Sequence, residues 1–152
     1  MDIFEEFKKL LETLRRENLP YALCGGLALA VYGITRATED IDLMIEESSL
    51  PRIRELAASL GFRFDPRPMV FKEDAVRIYR MYKTEGEDFL VLDLLLVTEL
   101  TKAAWEGRRQ VQTQFGSIWV VSPPGLIHLK ALRGGGQDQE DIRKLKELSD
   151  EG

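Results

Sequence analysis

Several residue types that mark particular protein classes are rare in this chain of 152 residues. It has one cysteine and one histidine, which excludes an internal disulfide and any metal site built from several histidines. The first residues carry neither a basic segment nor a long apolar run, so we predict no signal peptide and no membrane anchor and expect a cytoplasmic protein. The net charge of -5 argues against a protein that coats nucleic acid or an anionic membrane.

The rest of the composition is typical of a globular domain. Hydrophobic residues make up 44% of the chain, enough for a core, and no repeat, linker or low-complexity tract interrupts it. We therefore expect one domain over residues 1–152. Charge is unevenly distributed, because eight basic and four acidic residues lie within 52–83. This segment is either a surface for RNA or nucleotide phosphate or an ordinary solvated face.

Two aspartates, Asp40 and Asp42, lie one residue apart in the largely apolar segment 39–45. Alternate side chains of a β-strand share a face, so both carboxylates are expected to point the same way, about 7 Å apart. Oxygen ligands of this kind suit Mg²⁺, which takes one or two protein carboxylates and completes its shell with water and substrate phosphates. An edge strand with a solvated face has the same alternation and is the alternative interpretation.

A glycine pair, Gly25 and Gly26, stands between the apolar run 21–24 and the Ala-rich segment 27–32. The pattern predicts a strand, a sharp turn and a short helix. Glycine permits the turn and lets a ligand approach the backbone, and a helix N-terminus attracts an anion. A purely structural turn is the alternative. Together with the two aspartates that follow, the pair predicts a site for a metal ion and a triphosphate.

A third acid, Asp93, interrupts the segment 89–97, which is otherwise apolar on both alternating faces. The segment is therefore predicted to be a central strand buried on both sides. A lone buried carboxylate is unfavourable unless it is paired, protonated or metal-bound. The residues leave two interpretations open, a functional acid or a structural acid that caps a loop or pairs with a core arginine.

The remaining periodicity predicts an α+β protein. Helices are expected over 4–14 and 50–60, and the C-terminal part is expected to be helical over 123–148 with a break at the glycines 134–136. Segments 75–82 and 89–97 are predicted to form a hairpin with its turn at 85–86, and 109–114 and 117–121 a second hairpin. Helices interleaved with hairpins predict a mixed β-sheet flanked by helices.

The motif Cys24-Gly-Gly26, followed by Asp40-Ile-Asp42, resembles the signature of the nucleotidyltransferase superfamily related to DNA polymerase beta. The surrounding residues look most like a bacterial branch that holds abortive-infection toxin nucleotidyltransferases and the lincosamide and aminoglycoside nucleotidyltransferases. The resemblance runs over about 21–148. It implies the nucleotidyltransferase fold, and the transfer of a nucleoside monophosphate from an NTP to a hydroxyl acceptor with release of pyrophosphate.

The resemblance also implies roles for individual residues. Asp40, Asp42 and Asp93 would form a site for two Mg²⁺ ions, and Asp93 would help to activate the acceptor hydroxyl. Cys24 fills an apolar position of the motif and is interpreted as core filler. The one histidine, His128, cannot form a histidine-based metal site alone.

The residues implied to bind the NTP are Gly25, Gly26, Arg36, Thr38 and Lys130. For Arg36 a solvated loop charge is the alternative, and for Lys130 the alternative is an ammonium group that reaches solvent past an apolar face. Asp138 and Asp141 resemble an acidic motif that follows this lysine in the branch. Acids in a first helical turn also interact favourably with the helix dipole, so their roles stay open.

Partners are predicted only in outline. The acceptor is expected to be tRNA or another RNA, a protein, or a small molecule, and no membrane partner is expected. The sequence ends soon after 148, so a homodimer, a partner chain or the substrate itself is expected to complete the cleft. A non-catalytic nucleotide-binding protein or toxin-antitoxin component on the same fold is the alternative function, since a fold does not establish an activity.

Overall fold

The computed structural model describes residues 1–34, 37–73, 75–133 and 136–151. The helices are α1 (Ile3–Arg16), α2 (Gly25–Val31), α3 (Leu50–Ser59), α4 (Lys102–Glu106), α5 (Pro123–Arg133) and α6 (Gly136–Glu151). The strands are β1 (Ala22–Cys24), β2 (Asp40–Ile45), β3 (Arg63–Phe64), β4 (Met69–Phe71), β5 (Val76–Glu85), β6 (Asp88–Leu96), β7 (Arg109–Thr113) and β8 (Gly116–Val120). A turn of 3₁₀ helix covers Glu47–Ser49.

Eight strands among the described residues form one mixed sheet in the order β3-β5-β6-β2-β1-β8-β7, and β4 pairs with β5. The pairs β2–β6 and β1–β8 are parallel, and the other pairs are antiparallel. This architecture confirms the prediction of an α+β protein with a mixed sheet flanked by helices. The extent of a single domain over 1–152 stays a prediction.

One face of the sheet is packed against α1 and α3. Helix α1 begins after Asp2, whose carboxylate accepts a hydrogen bond from the amide of Phe4, and its buried stripe includes Leu10 and Leu14. It contacts β2 and α3. Glu6 of α1 binds Lys83 of β5, which places α1 on the face to which Lys83 points. The predicted helix 4–14 is thus confirmed, with about one extra turn in total.

The other face is partly covered by α5, which packs against α6. Leu126 and Leu129 of α5 line a small cavity together with Ile78 of β5 and Leu95 of β6. Helix α5 therefore lies over one end of these two strands, and the neighbouring part of the same sheet face carries Asp42 and the other predicted site residues. No helix in the described part of the chain is long and apolar enough to cross a membrane.

The structure differs from the predicted elements mainly at short segments. Strands β3 and β4 have two and three residues, and α4 has five. Segments this short do not complete a hydrophobic period, so their residue pattern does not predict them. The first hairpin turns at 86–87, one residue later than the predicted 85–86, because Glu85 still pairs with Asp88. Gly86 in this turn adopts a φ of +61°.

Candidate active site

The two motif aspartates lie on β2 in the centre of the sheet. Strand β2 is antiparallel to β1 and parallel to β6, and the register pairs Asp42 with Cys24 on one side and with Asp93 on the other. Residues paired across neighbouring strands point to the same face with their Cα atoms about 5 Å apart. Asp40, two positions before Asp42, shares that face. The three acids therefore project from one face of two adjacent strands.

A cavity of about 280 Å³ opens over these acids. Its lining comprises Gly25, Gly26, Ala37, Thr38, Glu39, Asp40, Asp42, Arg80, Asp93 and Lys130. The structure thus brings together seven of the eight residues that the sequence predicted for the site. The eighth, Arg36, lies outside the described residues.

Both positions of the glycine pair must be glycine because the backbone there lies close to Asp42 and to Thr38 in the loop before β2. Gly25 has a φ of +67°, and a Cβ atom on it would lie 2.2 Å from Oδ2 of Asp42. A Cβ atom on Gly26 would lie 2.8 Å from Oγ1 of Thr38. Helix α2 begins at Gly25, so the pair lies in its first turn and not before it as predicted. The glycines allow the backbone to approach Asp42 and Thr38 more closely than any other residue type would.

Asp93 is bound by an arginine on the neighbouring strand. Arg80 of β5 donates from Nε to Oδ1 of Asp93 at 2.9 Å and from Nη2 to Oδ2 at 3.0 Å. The hydrogen bond to Asp93, followed by the negative charges of Asp93, Asp40 and Asp42, raises the pKa of the Arg80 guanidinium. The pairing with an arginine that the sequence left open for Asp93 is therefore present, within the cavity that the other acids line.

Arg80 is the site residue that the sequence interpretation missed. It was counted only as one of the basic residues of 52–83. The signal that could have found it is the register of the hairpin, in which Glu85 pairs with Asp88 and Arg80 consequently pairs with Asp93. A turn at 85–86 shifts this register and pairs Asp93 with a different residue, so the misplaced turn concealed the ion pair.

Lys130 and Asp141 form an ion pair between α5 and α6. The Lys130 ammonium lies 3.2 Å from Oδ2 of Asp141, and the two residues are 6% and 1% exposed. The alternative in which Lys130 reaches solvent is therefore wrong, because both groups are enclosed where the two helices pack. Asp141 is the ion-pair partner of this lysine, and the side chain of Asp138 lies outside the described part of the structure.

A second, smaller cavity of about 60 Å³ lies beside the first. Its lining is mainly apolar and includes Cys24, Val76, Ile78, Leu95, Leu126 and Leu129. Asp42, Asp93 and Lys130 border both cavities. The charged groups therefore stand between a polar space on the glycine side and an apolar space under α5. His128 is not among the residues that line either cavity, and its Nε2 atom lies 2.9 Å from the carbonyl oxygen of Leu100.

The three aspartates have the oxygen atoms that a divalent cation prefers as ligands, and two of them are also arranged to bind it. Asp40 and Asp42 supply two carboxylates on one face, which is the protein share of a typical Mg²⁺ site. Both oxygens of Asp93 are hydrogen-bonded to Arg80. Among the side chains that the structure describes, no three acidic, histidine or cysteine groups converge into a metal-binding cluster. The geometry therefore favours a cation held first by Asp40 and Asp42.

Sequence comparison identifies a family for most of the chain. A family model described as "Nucleotidyl transferase AbiEii toxin, Type IV TA system" matches residues 9–132. Among curated protein sequences, none matches significantly. The matched range contains the glycine pair, the three aspartates, Arg80 and Lys130.

Solved structures share the fold. A lincomycin-bound lincosamide antibiotic adenylyltransferase, LnuA, superposes with a TM-score of 0.66 at 15% identity, over 93% of this chain and 95% of that one. The antibiotic-resistance factor ANT(2'')-Ia gives 0.65 at 17% identity, over 95% and 84%. A Thermotoga maritima protein described as a nucleotidyltransferase candidate gives 0.61 at 16% identity, over 98% and 93%. At these identities the likeness establishes the fold alone.

Proposed function

We propose that this chain, which belongs to the AbiEii nucleotidyl transferase toxin family, transfers a nucleoside monophosphate from an NTP to a hydroxyl acceptor in a Mg²⁺-dependent reaction that releases pyrophosphate. Membership of the family makes the chain a nucleotidyltransferase. The observation that supports the specific reaction is the cavity in which a glycine pair, three aspartates and a buried lysine meet.

The aspartates have distinct proposed roles. Asp40 and Asp42 would hold the Mg²⁺ ions, and Asp93 on the adjacent strand would complete the site and help to accept the proton of the acceptor hydroxyl. The metal would supply positive charge that stabilises the phosphate oxygens of the NTP and of the leaving pyrophosphate. Fixed carboxylates suit this chemistry because phosphoryl transfer depends mainly on positioning and on neutralisation of charge.

The glycine side of the cavity is the proposed triphosphate site. The backbone amides at Gly25 and Gly26 are approachable because neither residue has a Cβ atom, and the Thr38 hydroxyl lies next to Gly26. Lys130, at the border of both cavities, supplies a positively charged group in the same lining. We include Arg36 in the phosphate-binding set on the basis of the family resemblance.

The acceptor is proposed to approach from the side of Asp93. Three classes remain candidates: tRNA or another RNA, a protein, and a small molecule. LnuA is an adenylyltransferase of a lincosamide antibiotic, and ANT(2'')-Ia has been solved with adenylyl-2''-tobramycin; a small hydroxylated acceptor is therefore a candidate here too. A second copy of the chain or a partner chain is proposed to complete the acceptor side.

The test is transfer of label from each α-³²P-NTP in the presence of Mg²⁺ to a panel of tRNA, protein, lincosamide and aminoglycoside acceptors. We expect labelled product with the wild-type chain, and none with EDTA or with Asp40→Asn. The Asp40→Asn protein must melt near the wild-type temperature for this comparison to hold. Product formation that is independent of Mg²⁺ and of Asp40 would refute the assignment.

A further inference from the structure

The charge balance of the cavity depends on Arg80. Of the cationic side chains that the structure describes in its lining, Lys130 pairs with Asp141, and Arg80 pairs with Asp93. Arg80 is also the cation whose guanidinium is influenced by all three acids, as the elevation of its pKa by Asp93, Asp42 and Asp40 shows. It therefore neutralises part of the negative charge that would otherwise accumulate on the face formed by β2 and β6.

The position of Arg80 is set by backbone pairing. Arg80 and Asp93 are direct partners in the antiparallel ladder of β5 and β6, so their Cβ atoms lie about 5 Å apart before any side chain is placed. The side chain of Arg80 remains 43% exposed, whereas that of Asp93 is 11% exposed. The guanidinium thus has one edge on the enclosed carboxylate and the rest towards the open cavity, where it has room to move.

Arg80 binds the two carboxylate oxygens of Asp93 that the proposed reaction requires. A planar guanidinium binds a carboxylate through both oxygens at once. While both bonds persist, each carboxylate oxygen of Asp93 is bound to Arg80. Neither oxygen is then available, without breaking a bond, to a divalent cation or to the proton of an acceptor hydroxyl. A divalent cation would replace the charge that Arg80 supplies, so the two cations compete for the same carboxylate.

We propose that Arg80 is a positioning residue that holds Asp93 in the resting site and releases at least one of its oxygens when the metal ion binds, so that Arg80 sets the metal concentration at which the site assembles. The inference rests on the proposed function. It concerns a residue that lies in the cavity but outside the glycine and aspartate motifs.

Two variants separate the ion pair from the charge. Arg80→Gln removes both the charge and the two-point bond, and Arg80→Lys keeps the charge but replaces the fork with a single ammonium group. Mn²⁺ alone serves as the probe, because carboxylate sites accept it and its free concentration is measured by electron paramagnetic resonance. Thermal unfolding in EDTA reports on each protein without metal, and Arg80→Lys keeps the test valid if Arg80→Gln does not fold.

We expect Arg80→Gln to melt at a lower temperature than the wild type in EDTA. We also expect it to bind Mn²⁺ about fivefold more tightly, because the metal ion no longer has to break a partly exposed ion pair. Arg80→Lys should lie between the two proteins. A second titration uses Mg²⁺, which is diamagnetic, and is followed by NMR. The signal of the Arg80 Nε–H group in the wild type, assigned by its loss in Arg80→Lys, should shift as Mg²⁺ is added.

Three other outcomes would overturn the inference. Equal Mn²⁺ affinity of Arg80→Lys and wild type would show that only the charge matters and that no bond is released. Weaker binding by Arg80→Gln would show that Arg80 must stay on Asp93 for the metal to bind. An Nε–H signal that does not move with Mg²⁺ would show the same. A wild type that binds no Mn²⁺ would instead contradict the proposed function, and with it any competition at Asp93.

Discussion

The two faces of strands β2 and β6 differ sharply although they are built from adjacent residues. On one face six residues of the two strands are at most 1% exposed; they are Ile41, Leu43, Ile45, Leu92, Leu94 and Leu96. On the other face Asp40, Asp42 and Asp93 line a cavity of about 280 Å³. Alternation along a strand permits this separation, because each step of one residue changes the face. Stability and the proposed chemistry therefore depend on neighbouring but different positions.

Charge alone does not distinguish the faces. The covered face has its own ion pair, in which Lys83 lies 2.9 Å from Glu6, with Phe62 and Gly61 packed beside the lysine. On the open face, the Lys130 side chain is more enclosed than that of Lys83 but borders two cavities. What distinguishes the proposed site is space for a ligand beside the charged groups. Four substitutions test this comparison, from the largest expected change in the free energy of unfolding to the smallest.

The largest effect is expected on the covered face. Leu43→Ala removes a fully buried side chain from the centre of the core and should lower the free energy of unfolding by about 3–5 kcal/mol. Urea denaturation with circular dichroism measures this loss. Affinity for Mn²⁺, measured at a temperature where the variant is still folded, should stay within about twofold of the wild type. A loss of metal binding in folded Leu43→Ala would mean that the two faces are not separable.

Lys130→Gln should affect both stability and ligand binding. It leaves Asp141 buried without its cation, at a cost of about 3 kcal/mol. It should also weaken NTP binding, measured by calorimetry with Mg²⁺, because a charge at the cavity wall is lost.

The matched control for this substitution is Lys83→Gln on the covered face. It breaks the bond to Glu6 at a cost of about 1–2 kcal/mol and should leave NTP affinity unchanged. If both lysine variants lowered NTP affinity equally, the effect of Lys130 would be structural. A charge-free double variant, Lys130→Met with Asp141→Leu, should recover stability but not NTP binding.

Gly25→Ala tests the contact between the glycine pair and Asp42. Alanine at a φ of +67° is strained, and its Cβ atom would collide with the Asp42 carboxylate, so we expect a total loss of about 2 kcal/mol. Gly86→Ala is the control, because Gly86 has a φ of +61° with nothing within 4 Å of the added atom, and it should cost about 1 kcal/mol. Thermal melts give both values. Metal binding should fall in Gly25→Ala only.

The smallest change in stability is expected for Asp42→Asn. It removes one of three like charges on the open face, which offsets the contacts that it loses, so the free energy of unfolding without metal should change by less than about 0.5 kcal/mol. Nucleotidyl transfer should fall by at least about a hundredfold. Denaturation in EDTA measures the free energy of unfolding, and the labelled-NTP assay measures nucleotidyl transfer. A strongly destabilised Asp42→Asn would place this acid in the fold and not in the reaction.

Local pattern explains what could be predicted from the sequence. The alternation around Asp40 and Asp42 fixed both the strand and the face, and the glycine pair fixed the turn into α2, because each depends on residues a few positions apart. The mixed sheet followed from the same kind of evidence.

The remaining features depend on residues that are distant in the chain. The bond between Arg80 and Asp93 requires the register of a hairpin, and a shift of the turn by one residue conceals it. The enclosure of Lys130 requires the packing of α6 on α5, which no periodicity within either helix encodes. Arg36 and Asp138 remain predictions from the sequence.

The hairpin turn after β5 limits which insertions and deletions the chain can tolerate. Strand β6 is held on its other side by β2, so a residue added at the turn that changes the pairing would shift β5, with β3 and β4, against β6. Such a shift places Tyr79 or Met81 opposite Asp93 and directs Arg80 to the face covered by α1. The turn lies about 20 Å from the ion pair along the strand. Gly86 suits the positive φ of the turn, but a change in the length of the turn that shifts the pairing would also separate Arg80 from Asp93.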